Sequence, residues 1–226
     1  MIKNLKLSLL ALICLGSALT ANAQKTIKEG IITYSVVYDL PPEQQAMAAM
    51  LPTEFKVNFK GDFSAFKMDL GMFSRQMNYN VASKESLSLI EVPMQNKKIA
   101  VKLNAEQSKK MEEMESGERD YEVKATTETK QIAGYNCTKY ILNDKISGEA
   151  SEVWATKDIV VPANSLTSSF KDIQGVPVEF SKNAQGMKTK MTLKEVKEGV
   201  VSDINLTIPT GFETMSFEDL MKQMGG

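Results

Sequence analysis

The sequence of 226 residues contains no histidine and only two cysteines, Cys14 and Cys137. Without histidine, the commonest general base, every Ser-His or Cys-His nucleophile pair and every histidine metal ligand are excluded. Arginine is scarce too, because only Arg75 and Arg119 stand among the 27 basic residues. With a net charge of -1, the chain lacks the basic surface of a nucleic-acid-binding protein. We therefore expect a non-enzymatic protein that has no cofactor and binds no nucleic acid.

Residues 1–23 have the composition of a secretory signal peptide. Lys3 and Lys6 precede a short apolar stretch, and an A-x-A motif ends at Ala23. The apolar stretch is too short to cross a bilayer, which needs about 20 residues. The sequence therefore predicts export to the periplasm, the cell envelope or the medium. The predicted mature chain is a single domain, 24–226, without a transmembrane span.

Cys137 is the only cysteine of the predicted mature chain. An exported protein with one cysteine has no internal disulfide, so its stability must come from a packed core. We interpret Cys137 as a small buried hydrophobe, with a redox or intermolecular role as the alternative. Lipidation at Cys14 is an alternative to cleavage after Ala23, although Ile13 stands where lipoprotein signals carry a small residue.

The mature chain is dominated by a period-two alternation of apolar and polar residues, which is typical of half-buried strands. Phe55, Val57 and Phe59 share one face of such a run, and a Gly-Asp turn leads into the next. The predicted strands are 31–38, 53–60, 66–70, 87–92, 99–103, 121–127, 135–142, 152–156, 176–181, 188–196 and 200–208. Short polar turns between them predict an antiparallel meander.

Three segments have helical spacing instead, 41–51, 104–116 and 216–224. Asn104 and Gln107 have the spacing of a capping box, and Ser216 is a candidate N-cap. The region 163–172 is ambiguous between helix and loop. The predicted fold class is α+β, mainly antiparallel β: a strongly curved meander sheet, or half-barrel, whose concave face is covered by a few short helices.

Methionine is unusually common, with 14 residues in the chain. Its flexible, polarizable thioether adapts to ligands of varied shape. We therefore predict that a lipid, a lipoprotein acyl chain or another hydrophobic ligand lies between sheet and helices. The predicted lining residues are Met47, Met50, Leu51, Met68, Met72 and Trp154. Core filling by the same side chains is the alternative, and a Cu(I) site at the M-x-x-M pairs lacks any supporting histidine.

No catalytic residue is predicted. Two Ser-x-x-Lys matches occur, Ser64 with Lys67 and Ser168 with Lys171, and a Ser-Lys dyad works without histidine. The first pair lies on a predicted strand, where positions i and i+3 point to opposite faces. The acidic residues do not form a pair in an apolar context that would mark a raised pKa.

Several motifs in the second half occur in one order. They are I-A-G-Y-N-C-T-K-Y at 132–140, E-V-W-A-T-K-D at 152–158, G-V-P-V-E-F at 175–180, and Ile-Pro with Gly-Phe within 208–212. Together with the strand at 30–38 they resemble the DUF4412 family, a domain of unknown function in exported Bacteroidetes-type proteins that is related to the GLPGLI family. The resemblance implies export. By analogy it implies a fold similar to the lipoprotein carriers LolA and LolB, whose curved sheet holds acyl chains under helices.

The alternative function is a structural or interaction module of the envelope without a small-molecule ligand. It would dock an envelope protein through the outer sheet face or through a C-terminal apolar stripe. The stripe consists of Phe217, Leu220, Met221 and Met224. An exposed stripe, or a cavity too small for a ligand, favours this function.

Overall fold

The computed structural model describes residues 24–184 and 187–223, and the signal peptide predicted at 1–23 lies outside them. The strands are β1 (Lys25–Thr26), β2 (Glu29–Asp39), β3 (Glu54–Lys60), β4 (Phe63–Asp69), β5 (Ser74–Asn80), β6 (Ser86–Val92), β7 (Lys97–Leu103), β8 (Tyr121–Ile132), β9 (Tyr135–Asp144), β10 (Ala150–Thr156), β11 (Ile159–Val160), β12 (Val176–Ala184), β13 (Met187–Glu198) and β14 (Glu213–Thr214). The α-helices are α1 (Ala105–Ser116) and α2 (Phe217–Gln223), and the 3-10 helices span Pro42–Met50, Pro93–Gln95 and Ser168–Phe170.

Twelve strands form one sheet in the order β14-β7-β6-β5-β4-β3-β2-β13-β12-β10-β9-β8, while β1 and β11 form a separate parallel pair. The sheet consists of two antiparallel meanders, one from β2 to β7 and one from β8 to β13. Antiparallel pairing of β2 with β13 joins them. The predicted α+β class with a mainly antiparallel meander is confirmed.

Helix α1 reveals how strongly the sheet curves. Its 12 residues correspond to a length of about 18 Å, yet it contacts both β7 and β12. Six strands separate these two in the sheet order, so a flat sheet would place them about 34 Å apart. The sheet therefore curls around α1, and we call the face covered by α1 the inner face. The edge strands β14 and β8 do not pair with each other, so within the described chain the sheet stays open.

The inner face carries the main core. Ile32 of β2 stands opposite Val57 of β3, and both side chains are fully buried. The ambiguous region 163–172 contains a 3-10 helix that closes this core. Its Phe170 packs edge-on against Phe180 of β12, with ring centroids 5.0 Å apart.

The strand predicted at 200–208 is wrong. This segment crosses the outer face without joining the sheet, and its Leu206 and Ile208 pack on buried residues of β6 and β7. Asn78 donates a hydrogen bond from Nδ2 to the Asn205 carbonyl at 2.8 Å and so holds the segment down. An extended segment that lies flat on a sheet turns alternate side chains toward it, and it therefore has the same period as a strand.

The C-terminal helix then returns to the inner face. Strand β14 pairs with β7, and α2 packs Phe217 and Leu220 into a cluster with Val101 of β7. These two side chains are 9% and 8% exposed, and Met221 is partly buried against the same cluster. The exposed C-terminal stripe that would favour the interaction module is therefore not found at these positions, and Met224 lies outside the described residues.

The backbone structure explains why position 175, the first of the G-V-P-V-E-F motif, is a glycine. Its φ is +117°, and a Cβ there would lie 2.3 Å from the carbonyl oxygen of Thr156. The close approach occurs where β10 pairs with β12, next to a register shift between Trp154 and Ala155. Only glycine combines this backbone conformation with this proximity.

The capping box predicted for α1 is confirmed. The Asn104 side chain accepts from the Gln107 N–H at 2.9 Å, and the Gln107 side chain accepts from the Asn104 N–H at 3.1 Å. We expect Asn104→Ala to lower the free energy of unfolding by about 1 kcal/mol, measured by urea denaturation. Lys109→Ala, on the exposed surface of the same helix, is the control and should change it by less than about 0.5 kcal/mol. Equal effects of the two variants would contradict a stabilising role of the cap.

Candidate functional site

One end of the sheet gathers the connections β2–β3, β4–β5 and β6–β7. The first contains the 3-10 helix Pro42–Met50, the second is a turn at 70–73, and the third contains the 3-10 helix Pro93–Gln95. The sheet order places the six strands side by side, with neighbouring strands about 4.8 Å apart. The three connections therefore adjoin at one rim of the half-barrel, although they are far apart in the sequence.

Apolar side chains are exposed at this rim. Met72 is 64% exposed and Met94 is 87% exposed. Leu51 and Met68, which lie at the same end, are half-buried. We call these four residues the methionine-rich end. Single exposed apolar residues are ordinary, but a group on adjoining connections marks a candidate contact surface.

The structure brings three of the six predicted lining residues together here, namely Leu51, Met68 and Met72. The side chains of Met47 and Met50 lie outside the described residues, although their backbone belongs to the 3-10 helix of the first connection. That segment was predicted as a helix over 41–51, and the observed element differs in being a 3-10 helix. Met72 projects from a turn, so it does not lie under the helices as expected.

Trp154 lies on the other side of the sheet. It pairs with Glu179 of β12, while the next residue, Phe180, points to the inner face. The indole is 9% exposed, and the Lys130 ammonium lies 4.2 Å from the centroid of its ring. Lys130 also donates to Glu179 at 2.9 Å. Trp154 is therefore covered by a salt-bridged lysine on the outer face and does not face the space between sheet and helices.

The space under the helices is filled by side chains where α1 and the 3-10 helix Ser168–Phe170 pack. Met111 of α1 is 3% exposed, and Phe180 beneath Phe170 is 1% exposed. Two surface grooves of ≈ 510 and ≈ 410 Å³ lie elsewhere in the described chain. Neither is the apolar hollow between sheet and helices that the sequence predicted.

The larger groove opens toward the methionine-rich end. Strands β3 and β4 pair at four positions, the first being Lys60 with Phe63 and the last Val57 with Phe66. Beyond Val57 and Phe66 the two strands no longer pair. The groove of ≈ 510 Å³ between them is lined by Pro52, Glu54, Lys56, Asn58, Ala65, Lys67, Met68, Asp69 and Gln76. Met68 therefore borders open space at the point where the sheet splits.

Charged groups stand on the inner face at the same end. Arg75 of β5 pairs directly with Met68 of β4. Its Nη1 donates to Oε1 of Glu115 at 2.7 Å, and its Nε donates to Oγ of Ser88 at 3.1 Å. These bonds tie the last turn of α1 to the sheet.

Lys182 of β12 approaches α1 from the opposite side of the curl. Its Nζ donates to the carbonyl oxygen of Ser165 at 3.4 Å. Burial lowers the pKa of Lys182, while the carboxylates of Glu112 and Glu115 raise it. Arg75 thus contacts the Glu115 carboxylate of α1 directly, while Lys182 lies on β12, which α1 also contacts.

Met94, Arg75 and Lys182 were not among the predicted site residues. Met94 stands alone after Pro93, outside the pairs of closely spaced methionines such as Met47 with Met50. Arg75 lies in a polar strand that was not predicted. For Lys182 a signal existed, because it follows the inner-face residue Phe180 by two positions and so shares its face.

The two Ser-x-x-Lys matches differ in where their side chains lie. Ser64 is 1% exposed, while Lys67 is exposed on the opposite face, as strand parity predicts. Ser168 donates to Glu112 at 3.1 Å, and Lys171 is exposed. Residues 24–184 and 187–223 contain no group of three or more histidine, cysteine or acidic side chains that could hold a metal ion.

Sequence comparison identifies the family. The family model of a domain of unknown function, DUF4412, matches residues 46–212. The chain belongs to the DUF4412 family. The match begins within the first connection of the methionine-rich end and includes the other two connections, helix α1 and Lys182. No curated protein matches this DUF4412 chain, and no helix in its described part is long and apolar enough to cross a membrane.

Two solved structures are similar to this DUF4412 chain. "Structure of PNGF-II in P21 space group" has a TM-score of 0.51 at 16% identity, covering 87% of this chain and 32% of that one. "Structure of PNGF-II in C2 space group" has a TM-score of 0.48 at 16% identity, with the same coverage. The chain therefore spans about a third of the length of PNGF-II. At this identity the likeness concerns the fold alone.

Proposed function

We propose that this DUF4412 protein is a non-enzymatic protein of the cell envelope that binds an acyl chain or another apolar ligand at its methionine-rich end. The observation that carries the proposal is the exposure of Met72 and Met94 on adjoining connections. Half-buried Leu51 and Met68 lie beside them. Methionine side chains rearrange at low cost, so such a surface accepts chains of varied shape without a preformed hollow.

The magnitude of the burial is sufficient for binding. Covering about 300 Å² of apolar surface contributes about 7 kcal/mol. The loss of translational and rotational freedom on association offsets a large part of this gain. We therefore expect modest affinity, typical of a carrier that must also release its ligand.

Export is supported by the composition of residues 1–23, with their lysines, short apolar stretch and A-x-A motif. A protein exported in this way meets lipids and lipoproteins in the envelope. The absence of histidine from the whole chain and the separation of Ser64 from Lys67 on opposite faces support a non-enzymatic role.

A second candidate function is an interaction module that binds the apolar segment of an envelope protein at the same end. The packing of side chains under the helices favours it, because Met111 is buried there and Phe170 packs on Phe180. The two functions differ in the ligand, since a free fatty acid satisfies only the first.

The test uses the exposed residues, whose replacement leaves the core intact. We expect the double variant Met72→Gln and Met94→Gln to bind a fluorescent fatty acid about thirtyfold more weakly, because each polar replacement removes about 1 kcal/mol of apolar contact. The measurement is a fluorescence titration of the purified mature protein, 24–226.

The matched control is Val200→Gln, which replaces another exposed apolar residue, 92% exposed. Val200 lines the smaller groove of ≈ 410 Å³, away from the methionine-rich end. If the control loses affinity for the fatty acid and the double variant does not, the ligand binds in that smaller groove and not at the methionine-rich end. A wild-type protein that binds no fatty acid would contradict the carrier function and leave the interaction module.

A further inference from the structure

We propose that the ligand of the methionine-rich end carries an anionic head group, a carboxylate or a phosphate, which Arg75 and Lys182 bind in place of the Glu115 side chain. This inference rests on the proposed function and specifies the class of ligand. It treats Glu115 as an internal carboxylate that occupies the head-group position when no ligand is present.

The position of Arg75 joins the charged site to the apolar one. Arg75 and Met68 are directly opposite in the β4–β5 register, so their Cβ atoms are about 5 Å apart. Both belong to the inner face near the end of the sheet. An acyl chain that contacts Met68 therefore places its head group within reach of a guanidinium, the cation best suited to carboxylate and phosphate oxygens.

The Glu115 carboxylate, which binds Arg75, lies at a position that is unfavourable for the stability of α1. Glu115 lies in the last turn of α1, which contains no basic residue. A negative charge at the C-terminal end of a helix is unfavourable, because the macrodipole is negative there. Arg75 and Glu115 remain 23% and 28% exposed, so the pair is accessible at the rim. A ligand carboxylate accepts the same bonds from Arg75 and allows Glu115 to turn toward solvent.

Lys182 supplies the second cation and has spare hydrogen-bonding capacity. An ammonium has three N–H donors, and among the described residues Lys182 makes one long hydrogen bond, to the Ser165 carbonyl. The carboxylates of Glu112 and Glu115 lie on α1, the helix that contacts β12 and its Lys182. An anion that replaces Glu115 at Arg75 carries the same charge, so the charge of this end is preserved.

The experiment compares three probes with the same twelve-carbon chain, dodecanoate, monododecyl phosphate and dodecanol, by isothermal titration calorimetry. We expect wild-type protein to bind dodecanoate about tenfold more tightly than dodecanol, because only the anion bonds to the two cations, Arg75 above all. Arg75→Gln should remove most of this difference and leave dodecanol unchanged. The phosphate probe decides between a fatty-acid and a phospholipid head group by its affinity relative to dodecanoate.

Glu115→Gln is the sharpest variant, since it should raise the affinity for dodecanoate several-fold and leave dodecanol unchanged. Loss of folding cannot produce such a gain. Glu113→Gln is the matched control, because Glu113 on the same helix pairs with Lys109 at 3.2 Å and not with Arg75. Equal affinities for the anionic and neutral probes in every variant would overturn the head-group proposal alone. Failure of all three probes to bind would overturn the proposed function together with it.

Discussion

Phe180→Ala should lower the free energy of unfolding by about 3–5 kcal/mol, the largest effect of any single substitution considered. Phe180 is 1% exposed. Its ring meets Tyr34 at a centroid distance of 5.5 Å and Phe170 at 5.0 Å, both edge-on. Removing it creates a cavity at the point where β2, β12 and the 3-10 helix Ser168–Phe170 meet, and it also removes two aromatic contacts.

The measurement is urea denaturation followed by the fluorescence of Trp154, the single tryptophan. Trp154 suits this purpose because it pairs with Glu179, the neighbour of Phe180. Phe180→Leu is the control and should cost less, because leucine refills part of the volume. A loss below about 1 kcal/mol for Phe180→Ala would mean that Phe170 does not pack on β12 in solution.

Asp144→Asn should lower the free energy of unfolding at pH 7 by about 2–3 kcal/mol. Asp144 is 3% exposed and accepts from Arg119 at 2.9 Å, Ser147 at 2.8 Å and the Ile146 N–H at 3.1 Å. Burial alone raises the pKa of this carboxyl, but these hydrogen bonds outweigh it and hold the pKa well below its ordinary value. The amide of asparagine loses the charge and part of the acceptor capacity.

The direction of the pKa shift determines the pH dependence. A carboxyl whose pKa is lowered by folding contributes its full stability above its unfolded pKa of about 4, and the contribution falls as the pH drops toward the folded pKa. The difference between wild type and Asp144→Asn should therefore be constant near pH 7 and shrink below about pH 4. Denaturation curves at several pH values measure it. Asp120→Asn is the control, since its ion pair with Lys145 is exposed and worth less than about 1 kcal/mol.

Local pattern predicted most of the strands, both α-helices and the helical segment Pro42–Met50. The alternation of Phe55, Val57 and Phe59 predicts strand β3 and the face that it buries. The capping-box spacing of Asn104 and Gln107 predicts the start of α1. Strand β5 was not predicted, because its sequence S-R-Q-M-N-Y-N is polar and has little intrinsic strand preference. It is a strand because β4 and β6 pair with it on both sides.

The sequence predicted that methionines form part of the candidate site, but it did not predict how the residues of the site are arranged. Leu51, Met68 and Met72 were selected as lining residues, and they do share one end of the sheet. The prediction for Trp154 depended on which face of β10 is the inner one, and this is set by its pairing with β12 and the register shift there. A single strand read alone does not identify its inner face.

By itself the sequence determined the period-two strands, the turns between them and the absence of histidine, because each is a property of composition or of residues within a few positions. Only the tertiary structure decided that the connections with Met72 and Met94 lie at the same end of the sheet, that Arg75 stands opposite Met68, and that Arg75 binds Glu115 of α1. Strand register and the curl of the sheet create these neighbours. Both are set by pairings between residues far apart in the chain, which leave no local pattern.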